Sequence, residues 1–156
     1  MSFDKEAHDR CDWPAKEATL DYLIDKKKKD AYIHSSRMAL YDIFVVENYH
    51  IAELWESGIA EWWNEDKDYW EVGKDHTKFA TVEDRKGKRK KIKGIGVFYV
   101  YWRKDRMKAV IIDQWQIMPG RWDERYRGRG LEKFFLVPIE EVILLDVTNN
   151  YKESYK

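Results

Sequence analysis

Glu83 and Asp84 stand directly before the most basic stretch of the chain: Arg85, Lys86, Lys88, Arg89, Lys90, Lys91 and Lys93, seven cations within nine residues. Carboxylates hold hard divalent cations such as Mg2+ or Mn2+. A cation held in this way activates water and stabilises the oxygen that leaves a phosphodiester. Neighbouring lysines and arginines neutralise the phosphates of the same strand. The junction therefore reads as a place for metal-dependent cleavage of DNA, with Glu83 as leading catalytic carboxylate and Asp84, Lys86 and Asp113 as further members.

Three other acids sit where acids are costly. Asp113 falls on the apolar side of the alternation Ala109, Ile111, Asp113, Trp115, Ile117. Asp146 interrupts Val142 to Val147, and Asp42 interrupts Leu40 to Val46. A carboxylate in an apolar run is expensive unless it is paired or bound to a metal. An arginine partner would satisfy each one singly. A cluster of Glu83, Asp113 and Asp146 facing one cleft would instead hold the cation.

The charge is segregated along the chain although its formal sum is zero. Residues 1–84 carry 11 Lys/Arg against 20 Asp/Glu, residues 85–133 carry 16 against 5, and the remainder carries 2 against 4. A basic middle this dense is the footprint of a polyanionic partner. The DNA-binding set comprises Arg85, Lys88, Arg89, Lys90, Lys91 and Lys93, joined by Arg121, Arg125, Arg127 and Arg129 interleaved with Trp122 and Tyr126. Guanidinium forks suit phosphates, and aromatic faces stack on exposed bases. Two plainer readings stand beside this one. Lysines at a hairpin tip also blunt a sheet edge, and an Arg-rich loop is also an ordinary solvated surface.

The order Asp84-x-Lys86, preceded by Asp68 or Asp75, resembles the Asp…(Asp/Glu)-x-Lys pattern of restriction-endonuclease-like nucleases. That resemblance implies two metal-holding acids and a lysine that positions the attacking water. It covers fewer than twenty residues. Asp25-x-Lys27 and Glu65-x-Lys67 fit the pattern too, and Asp84 to Lys86 runs into a turn where the family keeps a strand. In composition the chain is similar to the small Lys- and aromatic-rich orphan proteins of filamentous viruses of hot-spring archaea. This likeness implies a viral, thermophilic origin and a small α+β nuclease. The high Lys/Glu/Arg content, with two Gln and four Asn, agrees with a hot environment.

Other chemistries lack their residues. One cysteine, Cys11, forbids an internal disulfide, and His8-x-x-Cys11 has no second ligand pair. No phosphate-binding Gly-rich loop occurs, since Gly94-Ile95-Gly96 lacks the third glycine and a following helix. No apolar run approaches the length of a membrane span, and no signal peptide opens the chain, so an intracellular protein is expected. Two non-catalytic readings remain open: a nucleic-acid-binding or packaging protein, and an interaction protein or inhibitor of a host factor. A homodimer is compatible with either.

The elements that must position these residues read as α+β. Asp12-Trp13-Pro14 predicts the start of a helix running to about Lys29. Ser36 to Val46 is read as helix, and Ala52, Trp55, Ile59 and Trp62 recur at helical spacing. From residue 78 the period becomes two, predicting strands over 78–84, 91–103, 107–118, 134–137 and 142–147. Turns are expected at Lys86-Gly87-Lys88 and Lys104-Asp105-Arg106. The expectation is a single domain over 1–156, with N-terminal helices on one face of a mostly antiparallel meander of about five strands. Residues 1–12 and 150–156 are expected to fray, and 119–130 to form a mobile loop. The tryptophans at 55, 62, 63 and 70 are read as core or dimer contacts.

Overall fold

Gly96 to Trp102 and Lys108 to Asp113 are apolar at nearly every position, so strands built from them must be covered on both faces. The computed structural model describes residues 5–33, 42–60, 63, 65–73, 81–83, 89–91, 95–117, 122–126 and 131–155. Helix α1 (Lys5–Asp21) passes into a π-helical turn over Tyr22–Lys26. The first strands are β1 (Asp30–Ile33), β2 (Ile43–Glu47), β3 (His50–Ile59) and β4 (Tyr69–Gly73). A short hairpin, β5 (Thr81–Glu83) and β6 (Arg89–Lys91), precedes the central pair β7 (Gly96–Trp102) and β8 (Lys108–Asp113). A four-residue helix α2 (Gln114–Ile117) leads to β9 (Trp122–Tyr126), β10 (Leu131–Pro138), β11 (Ile143–Asp146) and β12 (Lys152–Ser154).

Seven strands form the main sheet, in the order β1-β2-β3-β7-β8-β11-β12. Every pairing is antiparallel except β3 with β7, which is parallel from Glu53 opposite Gly96 to Ile59 opposite Trp102. A parallel pair needs a long crossover, and residues 60–95 provide it. A second excursion runs from β8 to β11. Each excursion contributes to the three-stranded sheet β4-β10-β9, whose middle strand β10 pairs antiparallel with both neighbours.

The two faces of β7 and β8 feed two cores. Val97, Tyr99, Val110 and Ile112 pack with Trp70, Val72, Phe135 and Val137 of the small sheet. Val100, Trp102, Ala109 and Ile111 pack with Ala15 of α1 and with Tyr22 and Leu23 of the π-helical turn. Burial of each Val, Leu, Ile or Phe among these stabilises the fold by about 1.5–3 kcal/mol. A buried polar chain links helix to sheet: Trp102 Nε1 donates to Thr19 Oγ1 at 2.9 Å, and that hydroxyl donates to the Ala15 carbonyl at 2.8 Å.

Several expectations change here. Among the described residues one long helix, α1, lies against the sheet. Pro14 falls inside α1, which begins at Lys5, and not in a first turn. Ile43–Glu47 and His50–Ile59 are strands, not helices. The inward positions of β3 are Glu53, Trp55 and Ser57, all buried. Two polar residues on the buried side hide the period of two, and the tryptophan spacing then imitates a helix. Asn48 and Tyr49, both at positive φ, close the β2–β3 hairpin. The strand expected over 91–103 is two elements, because β6 pairs with β5 and not within the main sheet. The five-stranded meander is a seven-stranded mixed sheet.

Two segments expected to be loose are strands. Trp122–Tyr126 pairs with β10, with Glu124 opposite Lys133 and Arg125 opposite Glu132. Lys152–Ser154 pairs with β11 at the sheet edge. Glu153 accepts from the Tyr22 hydroxyl and pairs with Lys27 at 2.8 Å, tying the C-terminal strand to the end of the helical segment. Burial alone would raise the Glu153 carboxyl, but the bonds from Lys27 and Tyr22 outweigh it and hold it below its ordinary value. Burial of the ring first, and then the same contact with Glu153, push the Tyr22 hydroxyl far up.

Replacing Thr19 with Val keeps shape but leaves the Trp102 indole N–H unpaired in the core. We expect a loss of about 1–3 kcal/mol of unfolding free energy in urea titration, with Thr19→Ser close to wild type.

Candidate nucleic-acid interface and placement of the acids

The β5–β6 ribbon pairs Thr81 with Lys91, Val82 with Lys90 and Glu83 with Arg89. Among the described residues it joins neither of the other sheets. Three consecutive basic residues, Arg89, Lys90 and Lys91, occupy the whole of β6. Glu83 closes the last pair before the connection. Asp84, Arg85, Lys86 and Lys88, which belong to that connection, and Lys93 beyond β6 lie outside the described residues, as do Arg121, Arg127 and Arg129. Arg125 stands in β9 opposite Glu132.

The cations of the β7–β8 turn are less available than their number implies. Arg103 is bound through Nε and a terminal nitrogen to Asp105, at 2.9 and 2.7 Å. Asp105 also accepts from the backbone N–H of Met107 at 2.9 Å. These bonds, the arginine's first, hold the Asp105 carboxyl below its ordinary range. Lys108 pairs with Glu65 at 3.2 Å. The turn expected at Lys104-Asp105-Arg106 is present, with Arg106 in the left-handed region at φ 60° and its N–H bonded to the Arg103 carbonyl at 2.8 Å.

The acids on the main sheet do not converge. Asp113 ends β8 opposite Phe98, and its backbone N–H donates to Gln116 Oε1 at 2.7 Å as the chain turns into α2. Asp146 ends β11 opposite Lys108, at the other end of β8. Five residues of strand separate the two positions, roughly 16 Å at about 3.3 Å per residue. One cation cannot be shared across that span, so Asp113 and Asp146 do not form the expected metal site together. The side chain of Glu83 lies outside the description. Among the described residues no group of three or more His, Cys, Asp or Glu is placed to hold a metal ion.

Each interrupted apolar run has its own physical reason. Asp146 caps the turn over Val147–Asn149, accepting from the Thr148 hydroxyl at 2.7 Å and the Thr148 N–H at 3.1 Å. Asp42 lies beside buried Lys16 at 3.5 Å, so its cation is a lysine and not an arginine. The second Asp42 oxygen accepts from the Ser57 N–H at 2.9 Å. Sequence reading missed a parallel pair, Lys29 with Glu53, whose other oxygen accepts from Trp55 Nε1 at 3.1 Å. The signal was present in Glu53-x-Trp55-x-Ser57, a period of two carrying alternate polar and aromatic residues. Trp55 and Trp70 are core, and Trp63 meets Trp70 edge-on at 5.3 Å, as the core reading of the tryptophans expects. Trp62 lies outside the described residues.

Comparison with protein-family models, curated proteins and solved structures finds no match to this chain. Its function must therefore be argued from its own residues.

The Thr148 hydroxyl and N–H hold Asp146 below the ordinary carboxylate value. A depressed folded value contributes stability above the unfolded value, near pH 3.8, and loses it as the pH falls through the lower one. Asp146→Asn should therefore be less stable than wild type at neutral pH, with the difference vanishing on the acid limb in pH-dependent denaturation. A difference that persists unchanged into acid would contradict the capping role.

Proposed function

We propose that the chain binds nucleic acid through the β5–β6 ribbon and the basic sequence around it. The observation that carries this reading is a ribbon that pairs only with itself among the described residues, in the one region where seven cations fall within nine residues. The major groove of duplex DNA is about 12 Å wide and admits a two-stranded ribbon. A ribbon free of both sheets offers such an arm without exposing a core strand. The separation of Asp113 from Asp146 favours binding without cleavage at those residues. Among the described residues no helix is long and apolar enough to cross a membrane.

A second reading, metal-dependent hydrolysis of DNA with Mg2+ or Mn2+, has one observation in its favour. Glu83 stands opposite Arg89 at the last ribbon pair, so an acid adjoins the basic connection. In this reading Glu83 and Asp84 hold the cation and Lys86 positions water.

Binding to a labelled duplex should weaken linearly in log–log dependence on salt. Arg89→Ala, Lys90→Ala and Lys91→Ala together should make that slope shallower by roughly 2–3, since each lost phosphate contact removes about 0.9. A salt-independent interaction, or an unchanged slope in the triple variant, overturns the binding reading. Incubation of linear duplex with Mg2+ or Mn2+ separates the second reading: it requires strand scission by wild type that Glu83→Ala abolishes, with the salt slope retained.

A further inference from the structure

The last hairpin of the main sheet, β11 with β12, is held unevenly. β11 contributes buried Leu145 and packs Ile143 and Leu144 against the two cores. Lys152, Glu153 and Ser154 of β12 are all exposed, so no buried apolar side chain anchors that strand. It stays in place through three ladder positions on β11 and through Glu153, which reaches Tyr22 and Lys27. The turn that returns it to β11 is strained. Asn150 and Tyr151 are consecutive residues in the left-handed region, at φ 52° and 54°. Neither is glycine, and L-residues adopt this conformation at a cost, the larger for the bulkier tyrosine.

We infer that β12 exchanges between two copies of this chain, each copy's β12 pairing with the other's β11. The register allows the exchange without a slip. Leu144 pairs with Ser154, Leu145 with Glu153 and Asp146 with Lys152. Continued through the opened turn, the same register sets Asn149 of one copy opposite Asn149 of the other, and Val147 opposite Tyr151. The turn 147–151 then becomes extended strand, with ladder positions that the closed turn lacks. Opening releases the left-handed strain at Asn150 and Tyr151. It gives up the bonds from Thr148 to Asp146 and the ring contact of Tyr151 with Tyr22, whose centroids are 5.9 Å apart. An identical strand re-forms the contacts of β12 itself, including Glu153 with Tyr22 and Lys27, now across copies. Exchange of an identical element through a short strained turn is a low-cost route to a dimer. The second copy is the partner selected, because its β12 is a strand whose fit to this edge is already on display within one chain. β5 and β6 take no part, so the exchange does not rest on the nucleic-acid reading.

The test uses the full chain without nucleic acid, in a Cys11→Ser background. One chain carries Leu144→Cys and a second carries Ser154→Cys, at positions that face each other in the ladder. The two are mixed at high concentration, warmed to open the turn, cooled, oxidised and resolved on a non-reducing gel. We expect a disulfide-linked heterodimer, and an internal disulfide when one chain, kept dilute, carries both substitutions. Light scattering should show a dimer fraction that rises with concentration. Asn150 is exposed, so substitutions there act on the turn and not on the core. Asn150→Val, whose branched side chain fits the left-handed region worse, should lower the dimer dissociation constant at least about tenfold, since each dimer opens two turns. Asn150→Gly should raise it. The inference is overturned by a monomer at every concentration in both wild type and Asn150→Val, by a dimer in which the disulfide that closes internally does not form between chains, or by Asn150→Val and Asn150→Gly moving the equilibrium in the same direction.

Discussion

The fold depends on burying both faces of the β7–β8 pair. Val97, Val100, Tyr99 and Trp102 leave β7 in alternate directions, and Ala109 through Ile112 do the same from β8. Neither face can meet water without losing the burial term that dominates folding. One face is covered by α1 and its π-helical extension, the other by the β4-β10-β9 sheet. The two long excursions of the main sheet thus have a structural purpose, since each supplies strands that pair with one another over the same apolar face. The parallel join of β3 to β7 needs a connection longer than a hairpin, and the first excursion provides it. The second excursion returns antiparallel, with β11 beside β8.

The helix-side interface is unusually polar for a buried surface. Lys16 with Asp42 and Trp102 with Thr19 each place a charged or hydrogen-bonding group between α1 and the sheet, and Lys29, just past the π-helical turn, pairs with Glu53 of β3. Such groups are expensive to bury alone and are satisfied here by partners distant in sequence. Removing one partner strands the other, so these pairs fix which helix face meets which strands. They also explain why β3 is hard to read: its buried side carries Glu53 and Ser57 beside Trp55.

Parts of the fold and of the candidate site were legible beforehand. The α+β class, the central position of the strand ending at Trp102, the turn at Lys104 to Arg106 and the strand ends flanking the basic connection all follow from local periodicity and turn residues. The helix expected over Ala52 to Trp62 is a strand as far as Ile59: Ala52, Trp55 and Ile59 recur at spacings of three and four, but Glu53 and Ser57 beside Trp55 on the buried side hide the period of two. The segment 119–130 lacks periodicity, yet 122–126 is a strand, because its order comes from pairing with β10. Lys152 to Ser154 is likewise held by Glu153 reaching Tyr22 and Lys27, contacts that no local pattern announces.

By itself the sequence determined where charge accumulates, because composition along a chain survives any fold. It placed seven cations beside Glu83 and identified three acids needing an explanation. The tertiary structure alone decided what those acids do. Strand register puts Asp113 and Asp146 at opposite ends of β8, gives Asp42 to Lys16 and turns Asp146 back onto Thr148. The physical reason is common to all of these. Spacing along a strand or helix fixes which residues share a face, while long-range pairing fixes which faces meet, and a carboxylate's role is set by what it meets.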